Sequence, residues 1–245
     1  MIKFTVITVC RNAEKGIAGT VKSVVGQTYR NIEYIICDGE STDHTVKIIN
    51  DWQRKSGGVI HLFREKDFGV YNAMNRGISR ASGDYIIFMN VGDTFYDEDV
   101  LTKAAQKIEE TGEREAVYYG IAHLINSYRN EKFIEYKKPF CGMIDRVLLG
   151  EMPCHQSMIA NKKYLREHYF NESYKYRADF EWIVYCCKRK VPMINLNLII
   201  CNYDGRGITA RGRGRKKLNE ETESILKQYY PICYRIFILK KSLHL

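Results

Sequence analysis

Residues 4–10 read Phe4-Thr5-Val6-Ile7-Thr8-Val9-Cys10, an uncharged run with β-branched side chains at five successive positions. A half-buried strand would alternate apolar and polar residues, so a continuous run of this kind predicts a strand covered on both faces. Working outward, Ile17, Val21, Val24 and Val25 fall at helical spacing before Gly26, and Asn12 stands where a side chain could cap that helix. Ile32–Cys37 reads as a second strand. Ser41-Thr42-Asp43 then opens a helix with Val46, Ile49 and Trp52 facing inward. Val59–Phe63 predicts a third strand, Val70, Ala73, Met74, Gly77 and Ile78 a third helix, and Tyr85–Met89 a fourth strand. Strands alternating with helices imply an α/β fold with a mostly parallel central sheet flanked by helices.

Beyond Asp93 the rhythm changes. Asp99–Glu110 is expected to be helical, and Val117–Ile125 with Lys132–Tyr136 to form a hairpin around a polar turn at 126–130. Residues 153–157 read as irregular, Phe180–Lys188 as a helix and Leu196–Tyr203 as a last strand. The expected organisation is one globular unit over 1–209, with halves 1–95 and 96–209, followed by a basic tail or helix over 210–245.

The charge supports that division. Residues 205–245 hold ten Lys/Arg against three Glu, whereas the first 204 residues carry 28 Lys/Arg against 26 Asp/Glu. The net +9 therefore describes an attachment and not the body. With 45% hydrophobic residues and only four prolines, the chain can bury a sizeable core and is not a disordered type. No run reaches the roughly 20 apolar residues that cross a bilayer, and no cleavage-site pattern follows Met1, so no export signal is expected. None of the eight cysteines forms a CxxC pair, which disfavours a zinc site and favours reduced thiols.

In open α/β sheets ligands gather beyond the carboxyl ends of the strands. Those ends carry Cys10-Arg11-Asn12, Asp38-Gly39, Glu65-Lys66-Asp67-Phe68-Gly69 and Asn90-Val91-Gly92-Asp93. A carboxylate ending an apolar strand is costly to bury alone, so Asp38 and Asp93 point to a ligand site as well as to helix caps. No GxxxxGK[ST] and no GxGxxG after the first strand are present, which argues against a P-loop and a dinucleotide cofactor. A diphosphate could instead be met through a divalent cation on Asp93.

Five segments in order now carry a resemblance. They are Val6–Asn12, Ser23-Val-Val-Gly-Gln-Thr-Tyr29, Ile36-Cys-Asp-Gly-Glu-Ser-Thr-Asp43, Asp67-Phe-Gly-Val-Tyr-Asn-Ala-Met-Asn-Arg-Gly77 and Phe88–Asp93. Over residues 3–209 the chain resembles the family-2 inverting glycosyltransferases, which implies the GT-A nucleotide-sugar fold. The resemblance implies donor contacts from Thr8, Asn12, Asp38, Asp67, Asn75 and Asn90, with Asp38 accepting from uracil. It places a Mn²⁺ or Mg²⁺ ligand at Asp93, and here the chain departs from the family's DxD pattern, because Asn90 and Gly92 stand where carboxylates often do. Asp179, in Tyr176-Arg-Ala-Asp-Phe-Glu-Trp182, matches the family's general base. Glu181, two residues on, should point elsewhere on a helix. His155 and Gln156, in Cys154-His-Gln-Ser157, match an element near the diphosphate and acceptor.

The expected activity is transfer of a sugar from a nucleotide-diphosphate donor, UDP-linked by the resemblance, to a saccharide acceptor carried on a lipid, in surface polysaccharide synthesis. The tail interleaves Ile232, Phe237, Ile238 and Leu239 with cations, which suits an anionic membrane surface on the cytoplasmic side. A homo-oligomer is compatible with this composition. Two other readings stand beside it: a nucleic-acid binder acting through the basic tail, which the acidic strand ends disfavour, and a non-catalytic nucleotide-sugar binder.

Overall fold

The computed structural model describes residues 1–125, 132–135, 144–205 and 214–242. The turn expected at 126–130, Tyr136 and the cations Arg211 and Arg213 lie outside the described residues. The opening run forms β1 (Phe4–Cys10), flanked in parallel by β2 (Ile32–Asp38) and β4 (Tyr85–Phe88), with β3 (Ile60–Arg64) parallel to β2. Beyond β4 the sheet becomes mixed. β8 (Met158–Asn161) runs antiparallel to β4, β6 (Val117–Ile125) antiparallel to β8, and β9 (Met193–Asp204) parallel to β6. β5 (Thr94–Phe95) closes the edge against β9, and β7 (Lys132–Ile134) pairs antiparallel with β6, as the hairpin reading anticipates.

The period-2 alternation of β1 sorts its side chains between two cores. Phe4, Val6 and Cys10 pack with α1 (Ile17–Val25), α2 (Thr45–Lys55) and α4 (Val100–Thr111). Ile7 faces the opposite layer, formed with α3 (Val70–Arg80), α7 (Ala178–Lys188) and α8 (Arg215–Tyr229). The short helices α5 (Ile144–Leu148) and α6 (Lys162–Glu167) complete that layer, and α9 (Pro231–Ser242) follows α8. Both faces of β1, β2 and β4 are thus covered, which is why they read as near-continuous apolar runs.

Helix α8 is fastened to the body by a buried acid. Glu221 is 4% exposed and accepts hydrogen bonds from the backbone N–H groups of Lys175 and Tyr176, both at 2.9 Å. The Arg177 guanidinium donates to Thr222 Oγ1 at 2.8 Å, and Ile225 and Leu226 are buried alongside. Glu221→Ala leaves two backbone donors without acceptors, so a loss of about 1–3 kcal/mol is expected in denaturant unfolding. An unchanged unfolding midpoint would show that water replaces the carboxylate at no cost.

Six cysteines (10, 37, 154, 186, 201 and 233) carry free thiols, whereas Cys187 is disulfide-bonded, so fully reduced thiols are not what the structure contains. Among the described residues, no helix is long and apolar enough to cross a membrane.

Candidate active site

A cavity of about 640 Å³ opens beyond the carboxyl ends of β1 and β4, and its lining includes Val9, Asn90, Asp93, His155, Asp179 and Asp204. The turn after β4 is held from beneath by Thr20 of α1, whose hydroxyl donates to Asp93 O at 2.9 Å and accepts from Gly92 N at 3.0 Å. Gly92 has φ 95°, a conformation few residues with a Cβ adopt. This geometry turns Asp93 inward. Its Oδ1 accepts from Asp204 N at 2.8 Å, and Gln156 also hydrogen-bonds its carboxylate. Burial pushes its pKa up to about 7, the two hydrogen bonds oppose the rise, and the Asp204 carboxylate adds to it.

Among the described residues, three carboxylates line this cavity against one cation, Lys175. Asn90 Oδ1 is buried with no hydrogen-bond partner. Its oxygen, with the Asp93 and Asp204 carboxylates in the same cavity, makes a set of hard donors suited to Mg²⁺ or Mn²⁺. Among the described residues no cluster of three or more His, Cys, Asp or Glu side chains is arranged for a metal. The unpartnered Asn90 oxygen and the two carboxylates fit an ion that takes its remaining ligands from substrate phosphates.

Asp179 enters the same cavity from the first turn of α7. Its Oδ1 accepts from Tyr71 Oη at 3.0 Å and from Phe180 N at 2.8 Å, and its Oδ2 lies 3.8 Å from His155 Nδ1. Burial lowers the His155 pKa, with Asp179 pulling the other way, and the ring sits against Phe88 and Phe170 at centroid distances of 4.9 and 5.8 Å. His155 Nε2 is buried with no partner. Burial first, and then Asp179, raise the Tyr71 phenol well above its usual range, so Tyr71 remains a donor. Glu181 does point elsewhere. It is buried between α7 and α8, where His168 Nε2 approaches it at 3.0 Å and the Tyr229 hydroxyl donates to it.

The donor residues named from sequence do not all converge. Asp38, Gly39 and Asp67 line a second cleft with Arg76 and Arg80. Asp38 is 1% exposed and is held by the Ser41 hydroxyl and by Ser41 N at 2.9 Å, with Arg64 Nε at 3.6 Å. Asp67 lies directly over Gly39, where a Cβ would come 2.0 Å from Asp67 Oδ2. Gly39→Ala is therefore expected to displace Asp67 and to weaken nucleotide binding about tenfold or more while the fold persists. Calorimetry with UDP checks this, and wild-type affinity would remove Asp67 from the donor site.

Three other candidates serve as struts. Thr8 lines neither cavity; its hydroxyl donates to Met89 O at 2.6 Å and pairs with Tyr34 Oη at 2.9 Å inside the core. Asn12 does not cap α1, which begins after Gly16; its Oδ1 accepts from Thr42 N at 2.9 Å and joins the loops after β1 and β2. Asn75 pins the 170–172 segment to α3, accepting from Phe170 N and donating to Phe170 O and Glu172. Conversely, Asp204, Tyr71, Lys175 and Tyr176 line the cavity although none is a candidate from sequence. Asp204 carried the same signal as Asp38 and Asp93, a carboxylate ending an apolar strand.

The family profile Glycosyl transferase family 2 matches residues 5–176. The chain belongs to that family. It is a glycosyltransferase, and relatives point to glycan biosynthesis. A Mycobacterium bovis "PGL/p-HBAD biosynthesis glycosyltransferase" is 26% identical over 210 residues, covering 83% of this chain and 77% of its own. An Escherichia coli protein named UDP-Glc:alpha-D-GlcNAc-diphosphoundecaprenol beta-1,3-glucosyltransferase WfaP is 34% identical over 130 residues, 53% of this chain and 48% of that one. The S. aureus TarS 1–349 structure in complex with UDP-GlcNAc superposes with a TM-score of 0.74 at 17% identity, covering 94% of this chain and 68% of that one. At that identity the likeness shows the shared GT-A fold, with its mostly parallel sheet between helical layers.

Proposed function

We propose that this glycosyltransferase moves a sugar from a UDP-linked donor to a hydroxyl of a saccharide acceptor carried on a lipid, with inversion at the anomeric carbon. The observation that carries the reading is one cavity lined both by the Asn90–Asp93 turn and by Asp179. Asp179 takes the proton of the attacking hydroxyl as that oxygen bonds the anomeric carbon on the face opposite the departing UDP. A single displacement of this kind inverts the centre. Tyr71 and Phe180 N fix Asp179 Oδ1, so the carboxylate keeps one orientation toward the acceptor.

Asp93, with the Asn90 oxygen and Asp204 beside it, would hold Mn²⁺ or Mg²⁺, which when bound supplies positive charge against the diphosphate leaving group. His155, neutral because it is buried, offers its Nε2 to a phosphate or sugar hydroxyl, and Gln156 steadies Asp93. Asp38 and Asp67, in the neighbouring cleft, are assigned to the base and ribose end. UDP and a lipid-carried acceptor are favoured by the E. coli relative's name, and UDP also by the TarS complex.

A panel of nucleotide sugars, read by thermal stabilisation with and without Mn²⁺ and then by transfer to saccharide acceptors, tests the reading. UDP-sugars are expected to stabilise the protein in a Mn²⁺-dependent way. If GDP- or dTDP-sugars alone do so, the base assignment fails, and stabilisation without any transfer would mark a binding protein.

A further inference from the structure

Helix α9 is apolar on both of its faces. Tyr234 and Phe237 turn inward onto the core. Ile232, Ile236 and Leu239 are 72%, 50% and 60% exposed, and their i, i+4, i+7 spacing gathers them within an arc of about 60°. A helix with one face on the body ordinarily presents polar residues outward, so this second stripe calls for an apolar phase outside the protein. Ile144 and Leu149, on and just after the neighbouring α5, are exposed as well, and α5 packs against α9.

The sequence charge of the C-terminal segment identifies that phase. Arg235 lies exposed on the same helix, and residues 205–245 hold ten Lys/Arg against three Glu. A second copy of the chain would set this basic segment against itself across an isologous contact. An acidic surface suits it, and α9, with 12 residues or about 18 Å, falls well short of the ~30 Å hydrocarbon core. We propose that α9 docks in the plane of an anionic lipid bilayer, with Ile232, Ile236 and Leu239 entering the headgroup–acyl boundary and Arg235 meeting lipid phosphates. Because Glu221 of α8 holds Lys175 and Tyr176 at the cavity wall, docking through α9 fixes the cavity's position relative to the bilayer. Donor chemistry plays no part in this docking, so UDP binding reports separately on the transferase reading.

Flotation of the full chain with vesicles tests the proposal. Wild type is expected to float with mixed phosphatidylcholine–phosphatidylglycerol vesicles and much less with phosphatidylcholine alone. The variant Ile232→Gln/Ile236→Gln/Leu239→Gln is expected to bind about a hundredfold more weakly, with UDP affinity and melting temperature kept because the three side chains face outward. Arg235→Glu, a change that leaves the apolar stripe intact, is expected to cost roughly tenfold. Wild type that stays with the soluble fraction, or stripe and Arg235 variants that float as wild type does, would overturn the docking. So would a wild-type dimer in analytical ultracentrifugation that the stripe variant dissociates, since the face would then belong to a second copy.

Discussion

Asp179→Asn is expected to bind UDP-sugar as wild type does and to lose about 10²–10⁴-fold in transfer rate. The substitution preserves shape: an amide oxygen at Oδ1 can still accept from Tyr71 Oη and Phe180 N, so the side chain keeps its place at the start of α7. What disappears is the ability to take the acceptor's proton as the new bond forms. Among the described residues, the other two carboxylates lining the cavity, Asp93 and Asp204, are the ones proposed for the metal. Glu181, the neighbour in sequence, is 2% exposed and already holds His168 and Tyr229, and Asp93 is committed to Asp204 N and Gln156. Initial rates of UDP release with acceptor, set beside calorimetric UDP affinity, separate the two effects. Near-normal turnover in Asp179→Asn would mean that the acceptor hydroxyl loses its proton to another group or directly to solvent.

The residues that define the fold and those that define the site were legible to different degrees, for physical reasons. From β1 to β4 each strand is a short apolar run and each helix an amphipathic one, so local pattern and final structure agree. After Asp93 the agreement weakens. β5 has two residues and β8 four, and both are strands only because β9 and β4 supply their partners from far along the chain. The site shows the same contrast. Asp93 stands out as an acidic group ending an apolar strand and Asp179 through its resemblance to the family's acidic motif, and the two line one cavity. Thr8 could not be judged by its motif alone. It shares the face of Phe4 and Val6, whereas the adjacent Val9 reaches the cavity, and that one-residue difference decides which layer a side chain enters. Asn75 is a donor contact by the resemblance alone, and the partners its amide finds lie in the 170–172 segment, nearly a hundred positions away. Glu221 read as one more charge in a polar tail until α8 placed it under Lys175 and Tyr176.

The metal-ligand assignment makes a prediction about stability as well as binding. In the folded protein Asp93 has a pKa of about 7, against about 3.9 for an unperturbed aspartate. Between those values the folded state holds the proton and the unfolded state has released it, so stability falls as pH rises through that window. The penalty is absent below about pH 4 and complete above about pH 7, where a shift of roughly three units corresponds to at most about 4 kcal/mol. In chelator, Asp93→Asn should therefore melt above wild type at about pH 8, with the gap closing toward about pH 4. Asn keeps the oxygen that accepts from Asp204 N, and the disturbed Gln156 contact takes back about 1 kcal/mol. Mn²⁺ should reverse the order, stabilising wild type by mass action and leaving the variant unmoved. Binding follows the same logic: Mn²⁺ is expected to tighten UDP binding to wild type and not to Asp93→Asn. If the variant is no more stable than wild type at high pH, the buried charge is not under stress. If Mn²⁺ still tightens UDP binding to the variant, the ion is held by Asp204 without Asp93, and the assignment drawn from the strand end is wrong.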